Sequence, residues 1–191
     1  MRVHIPTTTR PLRYKPVWVI ALLMAVWFAL SRGPIEVPDP DPIVPGTPVT
    51  VLQVIDGDSL VVRLAGGTER TVRLYGVDAP EGRQRYGTLA TAFAREHALS
   101  KRFRLEVEDI DQYGRCVSLL FSDSGESLNE LMVRTGHAWV YRQYCKRAEC
   151  AAWREAERNA KTSRLGLWKD KHPVPPWKWR KDNPRTDRGK R

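Results

Sequence analysis

Histidine and cysteine are scarce: four histidines and three cysteines are spread through 191 residues, with no Cys-x-x-Cys and no His-x-x-x-His pair. Structural and catalytic zinc sites need thiolates and imidazoles set close together, so that metal class is excluded. Acidic residues are missing from residues 1–16, which hold Arg2, Arg10, Arg13 and Lys15. Long apolar runs are missing too. The longest, Val17–Leu30, has fourteen residues. At ~1.5 Å per residue it covers roughly 21 Å, short of the ~30 Å hydrocarbon core of a bilayer but the size of a signal peptide's apolar stretch. Its basic flank and lack of a polar face predict an export segment over residues 1–32. Phe28-Ala29-Leu30-Ser31-Arg32 offers no clean small-residue cleavage site, so a cleaved signal and a retained inner-membrane anchor (residues 17–30) both stay open. The charge asymmetry places the remaining chain on the periplasmic or extracellular face. Length is also lacking for a second well-cored domain.

What the chain does have is positive charge. A net charge of +10 and a pI near 9.8 favour a polyanionic partner such as nucleic acid, although charge alone specifies no site. Six prolines between Gly33 and Pro48, interleaved with Glu36, Asp39 and Asp41, predict an extended acidic linker over residues 33–48. The folded domain is expected over residues 49–181, followed by a basic tail, 182–191.

Within that domain, Val49–Ile55, Leu60–Leu64, Thr71–Val77, Phe103–Glu108 and Cys116–Phe121 read as strands. Gly87–Ser100 has helical spacing, with Leu89, Phe93, Ala94 and Ala98 as its inner face, and Ser127–Thr135 and Arg147–Arg164 complete three helices. Five short strands with interspersed helices fit a small closed barrel, a mainly β fold with α. Cys145 and Cys150 are close enough in sequence for one turn to join them in an oxidising compartment; the alternative is three free thiols. Cys116, inside a strand, is expected as a buried thiol.

Ala65-Gly66-Gly67 turns the second strand into the third, a hairpin whose ends carry Asp56 and Asp58 on one side and Asp78 and Glu81 on the other. Four carboxylates on one rim repel unless a cation or fixed positive groups sit among them. Asp58 and Asp78 are hard oxygen donors suited to Ca²⁺.

The motifs D-G-D-S-L at 56–60, R-L-Y-G-V-D-A-P-E at 73–81 and D-Q-Y-G-R at 111–115 resemble the staphylococcal nuclease (thermonuclease) family in sequence and spacing, and the likeness runs from about Val49 to Trp168. It implies an OB-fold five-stranded barrel with about three packed helices. It also implies a calcium-dependent, sequence-nonspecific hydrolase of phosphodiester bonds in DNA and RNA, single-stranded or frayed, that leaves 3′-phosphates and acts as a monomer. Asp58 and Asp78 match the family's calcium carboxylates, and Ala79 stands where its reference member has a threonine that ligates through its carbonyl. Asp56 is expected behind these ligands. Glu81 matches the proposed general base, and Arg73 and Arg115 match the two arginines that grip the scissile phosphate. Tyr113 and Tyr144 match substrate-contacting tyrosines. Bacterial members end in a similar P-P-W-x-W-R stretch, so Trp177 and Trp179 are expected to fold back on the domain. A noncatalytic OB-fold nucleic-acid binder is the alternative, but it would have no use for this set of carboxylates and arginines.

Overall fold

A computed structural model describes residues 41–184 and, within the apolar run, Ala21, Met24 and Trp27, which are helical and exposed. The remainder of the expected export segment, the start of the linker and the tail from residue 185 lie outside the described residues. Among the described residues no helix is long and apolar enough to cross a membrane. Two units divide the chain, Met1–Asp39 and Pro40–Arg191, and the fold described below lies wholly in the second.

Alternation of apolar and polar residues gives strands β1 (Thr47–Val54), β2 (Ser59–Leu64), β3 (Glu69–Leu74), β5 (Arg102–Ile110) and β6 (Cys116–Phe121). They close into a barrel in the order β1-β2-β3-β6-β5. Every neighbouring pair is antiparallel except β3 and β6, which run parallel. The inward positions, among them Val51, Leu60, Val62, Val72, Leu105 and Leu120, are fully buried and fill the barrel with aliphatic side chains. This is the expected mixed β and α fold of the OB type. Strand β1 begins two residues inside the stretch expected as linker, with Pro48 opposite Arg104. Asp41 of that stretch accepts the backbone N–H groups of Gly66 and Thr68 at 3.1 Å, so its end is docked on the β2–β3 turn.

Two differences from the expected elements place the site. The third strand does not run on to Val77. It ends at Leu74, and Gly76, at φ 69°, turns the chain into a separate short strand β4 (Val77–Asp78). The sequence R-L-Y-G-V looks continuous because its apolar residues suit a strand throughout. Only glycine adopts that left-handed backbone without strain, and the turn redirects Asp78. Strand β4 pairs with β7 (Trp139–Val140), setting Asp78 opposite Trp139. Buried Glu157 accepts the Val140 N–H at 3.1 Å and so fixes β7 from the far side.

The second difference is in helix α1 (Gly87–Ala98), whose buried face is Gly87, Ala90, Ala94 and Ala98, while Leu89 is 57% exposed. Small residues face inward because the helix packs close to the D-G-D turn. A Cβ on Gly57 would lie 2.6 Å from the Ala79 Cβ, closer than side-chain carbons approach, and in a tight 3.1 Å contact with that of Ala90. Helix α2 (Leu128–Arg134) starts at Ser127, whose hydroxyl accepts the Glu130 N–H at 3.3 Å. Helix α3 (Cys150–Thr162) follows the Cys145–Cys150 disulfide. Cys116 is a buried free thiol, and burial raises its pKa above the usual thiol value. A fourth helix, α4 (Pro176–Asp182), lies in the stretch expected only to fold back.

Candidate active site

The D-G-D turn, the end of β3 and strand β4 converge on two buried carboxylates. Asp56 closes the turn by accepting the Asp58 N–H at 3.0 Å, and the Asp58 carbonyl accepts the Leu74 N–H at 2.8 Å, tying the turn to β3. Asp58 Oδ2 accepts the Ala79 N–H at 2.6 Å, while its Oδ1 is ion-paired with Arg73 and accepts the Ser59 hydroxyl at 3.3 Å. Arg73 projects from β3 opposite Ser59 and spans both acids, donating to Asp78 Oδ1 at 2.7 Å. A carboxylate this deep is tolerated only when cations and hydrogen bonds replace its water. Asp58 and Asp78 meet that requirement.

A second guanidinium completes the cluster. Arg180, from α4, donates to Asp78 Oδ1 at 3.1 Å and Oδ2 at 2.8 Å, and to Glu81 Oε1 at 2.9 Å. Burial opposes its charge, but the hydrogen bonds to Asp78 and Glu81 outweigh it and raise its pKa above the ordinary arginine value. Aromatic packing holds the helix in place. Trp177 stacks on Tyr141 with ring centres 5.2 Å apart and meets Trp139 edge-on at 6.5 Å. Gln84, whose side chain also accepts the Glu81 N–H at 3.2 Å, donates to the Val174 carbonyl at 2.5 Å.

Arg115 stands apart from the carboxylate pair. Its guanidinium donates to Asp111 Oδ2 at 2.7 Å, and Asp111 Oδ1 accepts the N–H groups of Tyr113 and Arg115 at 2.9 and 3.0 Å. Burial works against the Asp111 charge, but these bonds outweigh it and hold the carboxyl below the usual carboxylate range. The result is a pre-positioned arginine at the rim, its guanidinium carbon 5.4 Å from the centre of the Tyr113 ring.

One cavity of about 850 Å³ joins these groups. Asp56, Asp58, Arg73, Ala79, Glu81, Tyr113, Arg115 and Tyr144, all singled out from the sequence, line it, together with Tyr141, Trp179 and Arg180. Asp78 does not line it, being fully buried against Arg73 and Arg180. Tyr113 is 75% exposed at the rim, and Tyr144 packs edge-on against Tyr141. Two participants escaped the sequence. Asp111 precedes Arg115 by four residues inside the D-Q-Y-G-R motif, a spacing that could have signalled the pair. Arg180 lies 102 residues from Asp78, and no local pattern links them.

The donor chemistry fits a hard cation: Asp58 and Asp78 offer carboxylate oxygens, and no thiolate or imidazole lines the cavity. Among the described residues, however, no cluster of three or more acidic, histidine or cysteine side chains is gathered around one point. Asp78, the second expected ligand, carries two arginines on its oxygens. A cation therefore fits only if one of them yields.

Comparison with known proteins agrees with the motifs. Residues 71–170 match the family model described as staphylococcal nuclease homologue. An uncharacterized endonuclease of Escherichia coli O157:H7 is 35% identical over 130 residues, covering 68% of this chain and 82% of that protein. A micrococcal nuclease of Shigella flexneri is 36% identical over 143 residues, covering 69% of this chain and 79% of its own. A probable staphylococcal-like nuclease of Oryza sativa subsp. japonica is 40% identical over 111 residues, covering 58% of this chain and 32% of that protein.

Proposed function

Because the chain belongs to the staphylococcal nuclease family, we propose that it is a calcium-dependent nuclease that hydrolyses DNA and RNA with little sequence preference and leaves 3′-phosphates. The observation that carries this reading is the cavity that brings Asp58, Arg73 and Glu81 together with Arg115. A phosphodiester entering it meets Arg73 from β3 and Arg115 from the β5–β6 turn. Guanidinium forks bind two phosphate oxygens each and follow the charge as phosphorus becomes five-coordinate, and losing one such donor costs about 10²–10³-fold in rate. Asp111 fixes one of these forks in advance, so little reorganisation remains at the moment of reaction.

Glu81, fixed in approach by Pro80, orients the attacking water and accepts its proton as the P–O5′ bond breaks. Asp58, Asp78 and the Ala79 carbonyl would hold calcium, which when bound adds positive field at the phosphoryl oxygens. The Ala79 side chain itself packs against Gly57 and contributes no hydroxyl. Tyr113 offers an exposed ring for stacking, which every base accepts; this suits broad use of single-stranded or frayed substrates. The chain acts as a monomer on the far side of the cytoplasmic membrane, a placement that rests on the basic flank and apolar run of residues 1–32 and would protect the host's own nucleic acid.

Labelled single- and double-stranded DNA and RNA, incubated with the protein in Ca²⁺ and then in chelator, test the activity. Calcium-dependent shortening with phosphatase-sensitive 3′ ends is expected. Retention of uncleaved nucleic acid in Ca²⁺ would instead assign a binding module.

A further inference from the structure

Arg180 occupies the position where the site's chemistry has the least room for it. A carboxylate offers about four acceptor positions, and Asp78 uses three of them on Arg73 and Arg180. A divalent cation held by Asp58 and Asp78 needs those oxygens and would stand beside a guanidinium of like charge. Glu81 is likewise engaged by Arg180 while it would be orienting water. A purely structural clamp does not need to be placed on the two acids that the reaction uses. The backbone of α4 has anchors of its own, Trp177 on Tyr141 and Trp139 and buried Pro176, so its docking does not rest on the guanidinium alone. The guanidinium lies in the cavity that Arg73 and Arg115 also line.

We propose that Arg180 is a third phosphate-binding arginine of this active site, held on Asp78 and Glu81 until a divalent cation takes the carboxylates and a substrate phosphate takes the guanidinium. The proposal rests on the nuclease reading above and adds a catalytic residue from the C-terminal helix. It also makes the metal and Arg180 competitors in the absence of substrate and partners in its presence. Metal affinity and turnover should therefore respond to its removal with opposite signs.

The test uses the full chain with Arg180→Ala and Arg180→Lys, folding being checked by circular dichroism. Calcium binding is measured calorimetrically without nucleic acid, and kcat and KM are measured on a single-stranded oligonucleotide at saturating Ca²⁺. Arg180→Ala should bind Ca²⁺ about tenfold more tightly, having lost a like charge beside the ion. It should turn over about 10²-fold more slowly, having lost a phosphate donor. Arg180→Lys restores the charge without the fork, so calcium affinity should return towards the parent value while kcat stays low. An unchanged or raised kcat for Arg180→Ala at saturating Ca²⁺ would overturn the proposal and leave Arg180 as a plug. Weaker calcium binding in Arg180→Ala would overturn it as well, making Arg180 a support for the acids. If the parent binds Ca²⁺ yet cleaves nothing, the nuclease reading fails, and the catalytic role of Arg180 fails with it. A parent that cleaves beside an equally active Arg180→Ala sinks only the role given to Arg180.

Discussion

Asn129 is a buried side chain that ties α2 to β6 and to the turn after β3, and its removal should cost stability. Its Oδ1 accepts the Leu120 N–H at 3.1 Å, and its Nδ2 donates to the carbonyls of Tyr75 at 3.0 Å and Ser118 at 3.1 Å. Ser118 O also accepts the Tyr75 N–H at 2.8 Å, so Asn129→Ala strands two groups, the Leu120 N–H and the Tyr75 carbonyl. A buried polar group left unpaired costs about 1–3 kcal/mol, giving roughly 2–6 kcal/mol for the pair. At about 2–4 °C per kcal/mol for a chain of this size, a loss near the middle of that range lowers Tm by about 8–16 °C. Asn129→Asp should be no better, because it sets an oxygen against two carbonyls and buries a charge. Denaturant unfolding followed by tryptophan fluorescence measures this directly, with an unchanged m-value showing that the two states stay comparable. A fall of less than about 1 kcal/mol for Asn129→Ala would refute the reasoning, since two stranded groups cannot cost so little.

His137, stacked on Phe93 with ring centres 3.9 Å apart, has its pKa lowered from 6.5 to about 4 by burial and by the charges of His97 and Lys169. The unfolded chain takes up this proton first, so stability should fall as pH drops from 6.5 to about 4. Each pKa unit is worth about 1.4 kcal/mol, and solvent screening of the partly exposed ring reduces the sum to about 1–2 kcal/mol. His137→Gln should flatten that part of the melting profile against pH, and parallel profiles for parent and variant would exclude the effect. Reducing the Cys145–Cys150 bridge, a separation of five residues, should cost about 2 kcal/mol by loop entropy. Melting with and without a phosphine reductant checks it, and three reactive thiols in the unfolded, unreduced protein would rule the bridge out. Gly57→Ala drives a Cβ into Ala79 and Ala90. It should cost about 1–3 kcal/mol of stability by overpacking and weaken calcium binding by displacing Asp58; parent-like calorimetric affinity would show that the turn adjusts freely.

The barrel was legible because its strands alternate, as in Val49, Val51, Leu60, Val62, Phe103 and Leu105, and because Ser127 marks the start of α2. The site was legible where its parts are local in sequence: the D-G-D turn, the acids after Gly76 and Arg115 in its turn. Residues were misplaced where long-range packing overrides local preference. Leu89 has the spacing of a core residue, but the close approach of α1 to Gly57 leaves room only for alanine. The strand expected through Val77 breaks because Gly76 takes a backbone conformation that its apolar neighbours do not advertise. Arg180 closes the P-P-W-x-W-R stretch, but nothing local ties it to Asp78 and Glu81, which meet it through the docking of Trp177 onto Tyr141 and Trp139.

The most direct test of the central assignment is the cleavage rate against Ca²⁺ concentration for the parent, Asp58→Asn, Arg115→Ala and Glu81→Gln, each shown to be folded. Asp58→Asn should lose rate that partly returns at raised Ca²⁺, because it weakens the metal site without removing the phosphate clamp. Arg115→Ala should not be rescued by calcium, and Glu81→Gln should keep metal and nucleic acid binding while slowing turnover by about 10²–10⁴-fold. Parent-like cleavage by all three folded variants would contradict the assignment and move the chemistry to another part of the chain.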